Sequence, residues 1–210
     1  VNLTNKLKEG ITSTDLVLNI TELLRKNKVV GSFIEFFGEG VETLSVGDRA
    51  TISNMAPEYG ATAVLFPVDD STLAYLKMTG RTEAQIAIIK EYSKKQKLWR
   101  NPTDLPKYTR SLELDLSSIA PCVSGPKNPE DKINLDQFSS KVNSHSQMLY
   151  KNDLRDEKFL VPNLNFDIKD GDIMIAAVTS CTNTANPRNV IAAAMVAKKL
   201  VELGFKRNEK

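Results

Sequence analysis

The side chains able to do chemistry are few and widely spaced. Cys181 lies in Thr179-Ser180-Cys181-Thr182-Asn183, directly after the apolar run Ile173 to Val178. That run has the length of a buried strand, and Asn186-Pro187 beyond it reads as a helix cap and first helical residue. A thiol just past the carboxyl end of such a strand stands where open α/β sheets place their ligands. Position alone leaves the chemistry open and equally fits a small buried apolar group. Asn54 and Glu58 are four residues apart and would share a helix face if the chain stays helical through Pro57. They would then form either an inward amide and carboxylate pair or a solvent-facing one. Cys122 lies in the stretch 120–129, which reads as irregular loop, with no partner evident, and the single histidine, His145, sits between two serines. Both read as incidental to chemistry.

These residues need elements to position them. Thr12-Ser13-Thr14-Asp15 supplies N-cap candidates for a helix with Leu16, Val17, Ile20, Leu23 and Leu24 at helical spacing, closed by Asn27 and Lys28. Val29 to Phe37 then reads as a buried strand and Gly38-Glu39-Gly40 as a turn open to close backbone approach. Ser45 caps a short helix with Asp48 three residues on, and the helix must loosen near Pro57. Ala61 to Phe66 reads as another strand. Asp69-Asp70-Ser71-Thr72 and Thr82-Glu83-Ala84-Gln85 open two further helices.

Strand and helix alternate through this stretch, which predicts an α/β fold: a three-layer domain with a parallel or mixed sheet, followed by the start of a second, similar α/β domain. Pro102 and Pro106 mark the expected boundary, giving residues 1–105 with Asn54 and Glu58, and residues 106–210 with Cys181. Leu112, Leu114 and Leu116 alternate with polar residues as in a half-buried strand. Asn134 to Gln147 is expected to be a helix. Lys169-Asp170-Gly171-Asp172 signals a hairpin pairing Asn165–Ile168 with Ile173–Val178. The last helix runs from Pro187 to Leu203, with Gly204 at its end.

Composition narrows the classes. The chain has 210 residues, 41% of them hydrophobic, enough to bury a core. A formal charge of +2 with both signs interspersed gives no electrostatic footprint for nucleic acid or an anionic membrane. Two cysteines cannot form a disulfide framework, so a reducing cytoplasmic setting is expected. No apolar run reaches the ~20 residues of a membrane span.

Thr179-Ser180-Cys181-Thr182-Asn183 resembles the cysteine signature of the aconitase family. Ile52-Ser53-Asn54-Met55-Ala56-Pro57-Glu58-Tyr59-Gly60-Ala61-Thr62 resembles the same family's active-site segment, and Phe33-Ile34-Glu35-Phe36-Phe37-Gly38-Glu39-Gly40 the strand and loop before it. The likeness extends through Leu3-Thr4, Thr14-Asp15-Leu16, Thr79-Gly80-Arg81 and Glu113-Leu114-Asp115-Leu116. It is greatest for the cytosolic and bacterial branch that includes iron regulatory proteins.

The resemblance implies an aconitate hydratase, interconverting citrate and isocitrate through cis-aconitate. Cys181 would be one of three thiolate ligands of a [4Fe-4S] cluster, with Ser180, Thr182 and Asn183 ordering its surroundings. Glu58 and Asn54 would lie near the substrate hydroxyl, with Glu58 handling a proton. The family's other cluster cysteines, its substrate arginines and its serine base have no counterparts here. The chain, which starts at Val1 without methionine, is accordingly expected to be an internal fragment that partners the parent's remaining domains and alone carries neither cluster nor activity. RNA binding by an apo parent and 2-methylisocitrate dehydration are the alternatives the resemblance carries.

Overall fold

Four helices start the same way, and the sequence explains each start. Thr12, Ser45, Asp69 and Thr82 each accept a hydrogen bond from the backbone N–H three residues on. The side chains of Asp15, Asp48, Thr72 and Gln85 return the bond to the cap residue's own N–H. Two otherwise orphaned donors are satisfied reciprocally at each site. The Ser45 and Asp48 pair forms the complete motif, with Asp48 N–H to Ser45 Oγ at 3.2 Å and Ser45 N–H to Asp48 Oδ2 at 2.9 Å.

The computed structural model describes residues 1–103, 106–150, 156–162, 166–174 and 186–206. They form two units, Val1–Lys132 and Ile133–Lys210. The first contains β1 (Asn2–Thr4), α1 (Ser13–Lys26), β2 (Phe33–Glu35), α2 (Val46–Asn54), α3 (Ala56–Tyr59), β3 (Ala63–Leu65), α4 (Asp70–Met78), α5 (Glu83–Lys95), β4 (Glu113–Asp115) and β5 (Cys122–Ser124). β1 pairs in parallel with β4, and β2 with β3. A parallel bridge between Asn2 and Phe37 links the two pairs, with Leu3 N–H donating to Phe37 O at 2.8 Å. The fold is α/β, as expected, although its strands are short: β2 keeps only three residues of the predicted Val29–Phe37 run.

The unit's core gathers Leu16, Val17, Ile20 and Leu24 of α1 with Leu3, Phe36, Val41, Ile52, Tyr59 and Leu116, among others. Phe36 stacks on Phe66 with ring centroids 4.7 Å apart. Gly38, at φ +98°, passes so close to β1 that a Cβ would strike the Asn2 side chain and the Leu3 carbonyl. Only glycine suits that backbone and that approach.

The first compact unit extends to Lys132, past the Pro102–Pro106 stretch. β4 is the reason, because it returns to pair with β1, and Leu116 and Ile119 join the core of the first unit. The stretch 120–129, expected to be irregular, contains β5. There Cys122 N–H donates to Asp15 Oδ1 at 2.9 Å, which draws the segment against α1.

β6 (Lys132–Asn134) carries the chain into the second unit, followed by a 3-10 turn over Leu135–Gln137 and α6 (Phe138–Tyr150). β7 (Phe159–Leu160) and β8 (Asp167–Ile168) pair antiparallel. The Asp-Gly turn forms, with Asp172 N–H donating to Lys169 O at 3.1 Å. The strand before that turn pairs with Phe159–Leu160; Ile173 and Met174 after it are exposed, and residues 175–178 of the expected partner strand lie outside the described residues. α7 (Pro187–Glu202) starts at Asn186, whose Oδ1 accepts from Arg188 N–H at 3.1 Å, and Gly204 takes φ +81° after its end. Among the described residues no helix is long and apolar enough to cross a membrane.

Candidate functional site

The α2–α3 corner is built by the proline the sequence places there. α2 stops at Asn54, Met55 takes φ −88° and ψ +15°, and Pro57 occupies the first turn of α3, where its missing N–H costs nothing. Asn54 and Glu58 therefore belong to two consecutive helices and not to one continuous face. Their environments differ accordingly: Asn54 is exposed and Glu58 is half-buried.

α3 is a single turn, too short to persist on propensity alone, so tertiary contacts must hold it. Tyr59 supplies one, fully buried and donating its hydroxyl to Ile52 O at 2.8 Å. Burial, reinforced by the nearby Glu58 charge, pushes the Tyr59 phenol well above its ordinary pKa, so it stays a neutral donor. Gly60 closes the turn in the left-handed conformation, its N–H reaching the carbonyls of Ala56 and Pro57. The Glu58 carbonyl accepts from Arg25 Nε at 2.7 Å.

Glu58 Oε2 is buried and has no hydrogen-bond partner among the described residues. A buried carboxylate oxygen without a partner is costly, and its persistence calls for a group that completes it. This is the feature of the corner that points to chemistry.

Behind it lies a buried ion pair. Arg49 of α2 is 4% exposed and donates through Nη2 to Val41 O at 2.9 Å and to Asp69 Oδ2 at 2.6 Å. Burial alone would raise the Asp69 pKa, but the hydrogen bond and charge of Arg49 outweigh it and hold the carboxyl below its usual range. The pair ties α2 to the cap of α4. Neither Arg25 nor Arg49 is signalled by sequence spacing, because their partners lie 33 and 20 residues away.

Cys122 is not a ready metal ligand. Its sulfur lies 3.7 Å from Asp15 O and from Asn19 Nδ2, and burial, with the Asp15 charge, pushes the thiol up to about 11. Among the described residues no three His, Cys, Asp or Glu side chains are placed to hold a metal ion. The described donors therefore do not by themselves fit an iron-sulfur cluster. Cys181, Ser180, Thr182 and Asn183 lie outside the described residues, as does the His145 side chain.

The aconitase family (aconitate hydratase) matches residues 1–210. The chain belongs to the aconitase family. It is 51% identical to aconitate hydratase A of Rickettsia bellii over 207 residues, covering 98% of this chain and 23% of that protein. Identity to the protein of the same name is 50% over 206 residues in Legionella pneumophila and 45% over 208 in Escherichia coli, again covering 98% of this chain and 23% of each relative. The chain thus spans about a quarter of the length of the curated relatives it matches.

Proposed function

We propose that this chain is a segment of a cytoplasmic aconitate hydratase and supplies one part of its active site. The observation that carries the reading is the buried, unpartnered Oε2 of Glu58 in a chain matching the aconitase family throughout its length. Dehydration of a hydroxy-tricarboxylate removes a proton from carbon and breaks the adjacent C–O bond, so the departing oxygen needs a proton. Glu58, protonated, donates to that oxygen as it leaves as water, and as carboxylate it takes the proton back in hydration. Its partial burial excludes competing water, and Asn54 orients the substrate hydroxyl from the exposed side. The base that takes the carbon-bound proton belongs to other parts of the polypeptide.

Cys181 would provide one thiolate of a [4Fe-4S] cluster, with the remaining thiolates supplied by other parts of the parent protein. Ser180, Thr182 and Asn183, neighbours of Cys181 in sequence, would order the surroundings of the bound cluster. When bound, the cluster supplies Lewis-acid polarisation of the substrate oxygen. Citrate, isocitrate and cis-aconitate are the substrates this reading assigns, in keeping with the names of the relatives.

The test is made in the intact hydratase carrying this segment. Glu58→Gln removes the transferable proton at nearly constant volume and is expected to lower kcat by about a hundredfold or more, with the cluster's visible absorption unchanged. Cys181→Ser is expected to abolish that absorption. A Glu58→Gln enzyme within a few fold of wild type overturns the reading.

A further inference from the structure

We infer that Arg25 is a positioning residue for Glu58, acting through the hydrogen bond from its Nε to the Glu58 carbonyl; this rests on the role proposed for Glu58. α3 ends with carbonyls that no helical N–H can reach. The Gly60 N–H serves those of Ala56 and Pro57, and Ala61 N–H also reaches Ala56 O at 3.0 Å. The carbonyl of Glu58 itself is taken by a side chain from α1, at 2.7 Å.

That side chain is mounted rigidly. Arg25 lies in the last turn of α1, one residue after Leu24, and α1 is fixed in the core by Leu16, Val17, Ile20 and Leu24. Its Nε also lies 3.7 Å from Oε1 of Glu130, a partly buried carboxylate that steadies the guanidinium. The one-turn helix is thus held on both sides of the carboxylate that does the chemistry. Tyr59 fastens it to α2, and Arg25 fastens it to α1. A small drift of the turn would move the Glu58 carboxyl relative to substrate without unfolding the protein, and misplacement of that kind lowers kcat more than it alters binding.

Side-chain geometry offers a clean pair of variants. Gln places an amide nitrogen on Cδ, the position Arg Nε occupies, so Arg25→Gln keeps the donor and loses the charge. Arg25→Met puts a methyl group there and loses both. In the intact hydratase, Arg25→Met is expected to lower kcat by about tenfold or more with KM within about twofold, while Arg25→Gln recovers kcat to within about threefold of wild type. Independently of activity, amide hydrogen exchange in the peptide spanning residues 56–61 rises in Arg25→Met and stays at the wild-type level in Arg25→Gln. Glu130→Gln, which leaves the Nε bond in place but loosens its anchor, gives a smaller change in the same direction in both readouts. It decides the matter if Arg25→Met does not fold.

Wild-type kcat and exchange in Arg25→Met would overturn the inference, as would equal losses in Arg25→Met and Arg25→Gln. So would unchanged behaviour of Glu130→Gln when Arg25→Met is unfolded. Glu58→Gln, measured alongside, separates the two levels. If it loses activity while Arg25→Met does not, only the positioning role fails; if it is itself unimpaired, the role of Glu58 fails and this one with it.

Discussion

In the first unit α1 turns Leu16, Val17, Ile20 and Leu24 into a closed core, whereas in the second α7 leaves Val190, Ile191, Met195, Val196, Leu200 and Val201 exposed. Both helices are amphipathic by the same periodicity, and both are capped by their own sequence. Periodicity reports the face a helix can bury. It does not report whether the surface that covers that face lies among these residues. The relatives are about four times as long as this chain, and among its described residues neither that face nor Oε2 of Glu58 is met by a partner.

The sharpest way to break this contrast is to attack what holds the first unit together. Arg49→Met strands the Asp69 carboxylate in a buried site and is expected to cost about 3–5 kcal/mol in denaturant unfolding. The wild-type pair also shapes the acid limb. Asp69 ionises at a lower pH folded than unfolded, so its contribution is complete above the unfolded carboxyl value of about 4 and disappears as pH falls through the lower folded value. Asp69→Asn, which preserves the cap, removes that part of the pH dependence. An unchanged acid limb would show that the pair is not a source of stability.

A matched pair of truncations sharpens the comparison further. Ile20 is fully buried and Ile191 is 58% exposed. Ile20→Ala should cost about 2–5 kcal/mol, and Ile191→Ala about 0.5 kcal/mol or less. Comparable losses at the two positions would mean that α7 buries its apolar face in the isolated chain.

What could be read from the sequence was local. The capping boxes, the helix break at Pro57, the Asn186-Pro187 start and the Gly204 stop each depend on residues within one turn of one another. The parallel pairing of β1 with β4, residues more than a hundred positions apart, was not legible. The Asp170-Gly171 signal specified the turn, whereas the pairing of β8 with β7 had no local signal, since a turn fixes chain direction and a sheet chooses its neighbour by packing. At the candidate site, Glu58 and Asn54 stood out through their segment's resemblance. Arg25 did not, because a long side chain reaching a carbonyl 33 residues on leaves no periodic trace.

The proposed active site is one that this chain begins and other polypeptide completes. It is tested most directly by incubating the isolated 210-residue chain anaerobically with ferrous iron, sulfide and reductant, then recording visible absorption and cis-aconitate hydration beside the intact hydratase. The intact protein is expected to gain both signals and the isolated chain neither. A [4Fe-4S] absorption band or measurable hydration from the chain alone would contradict it.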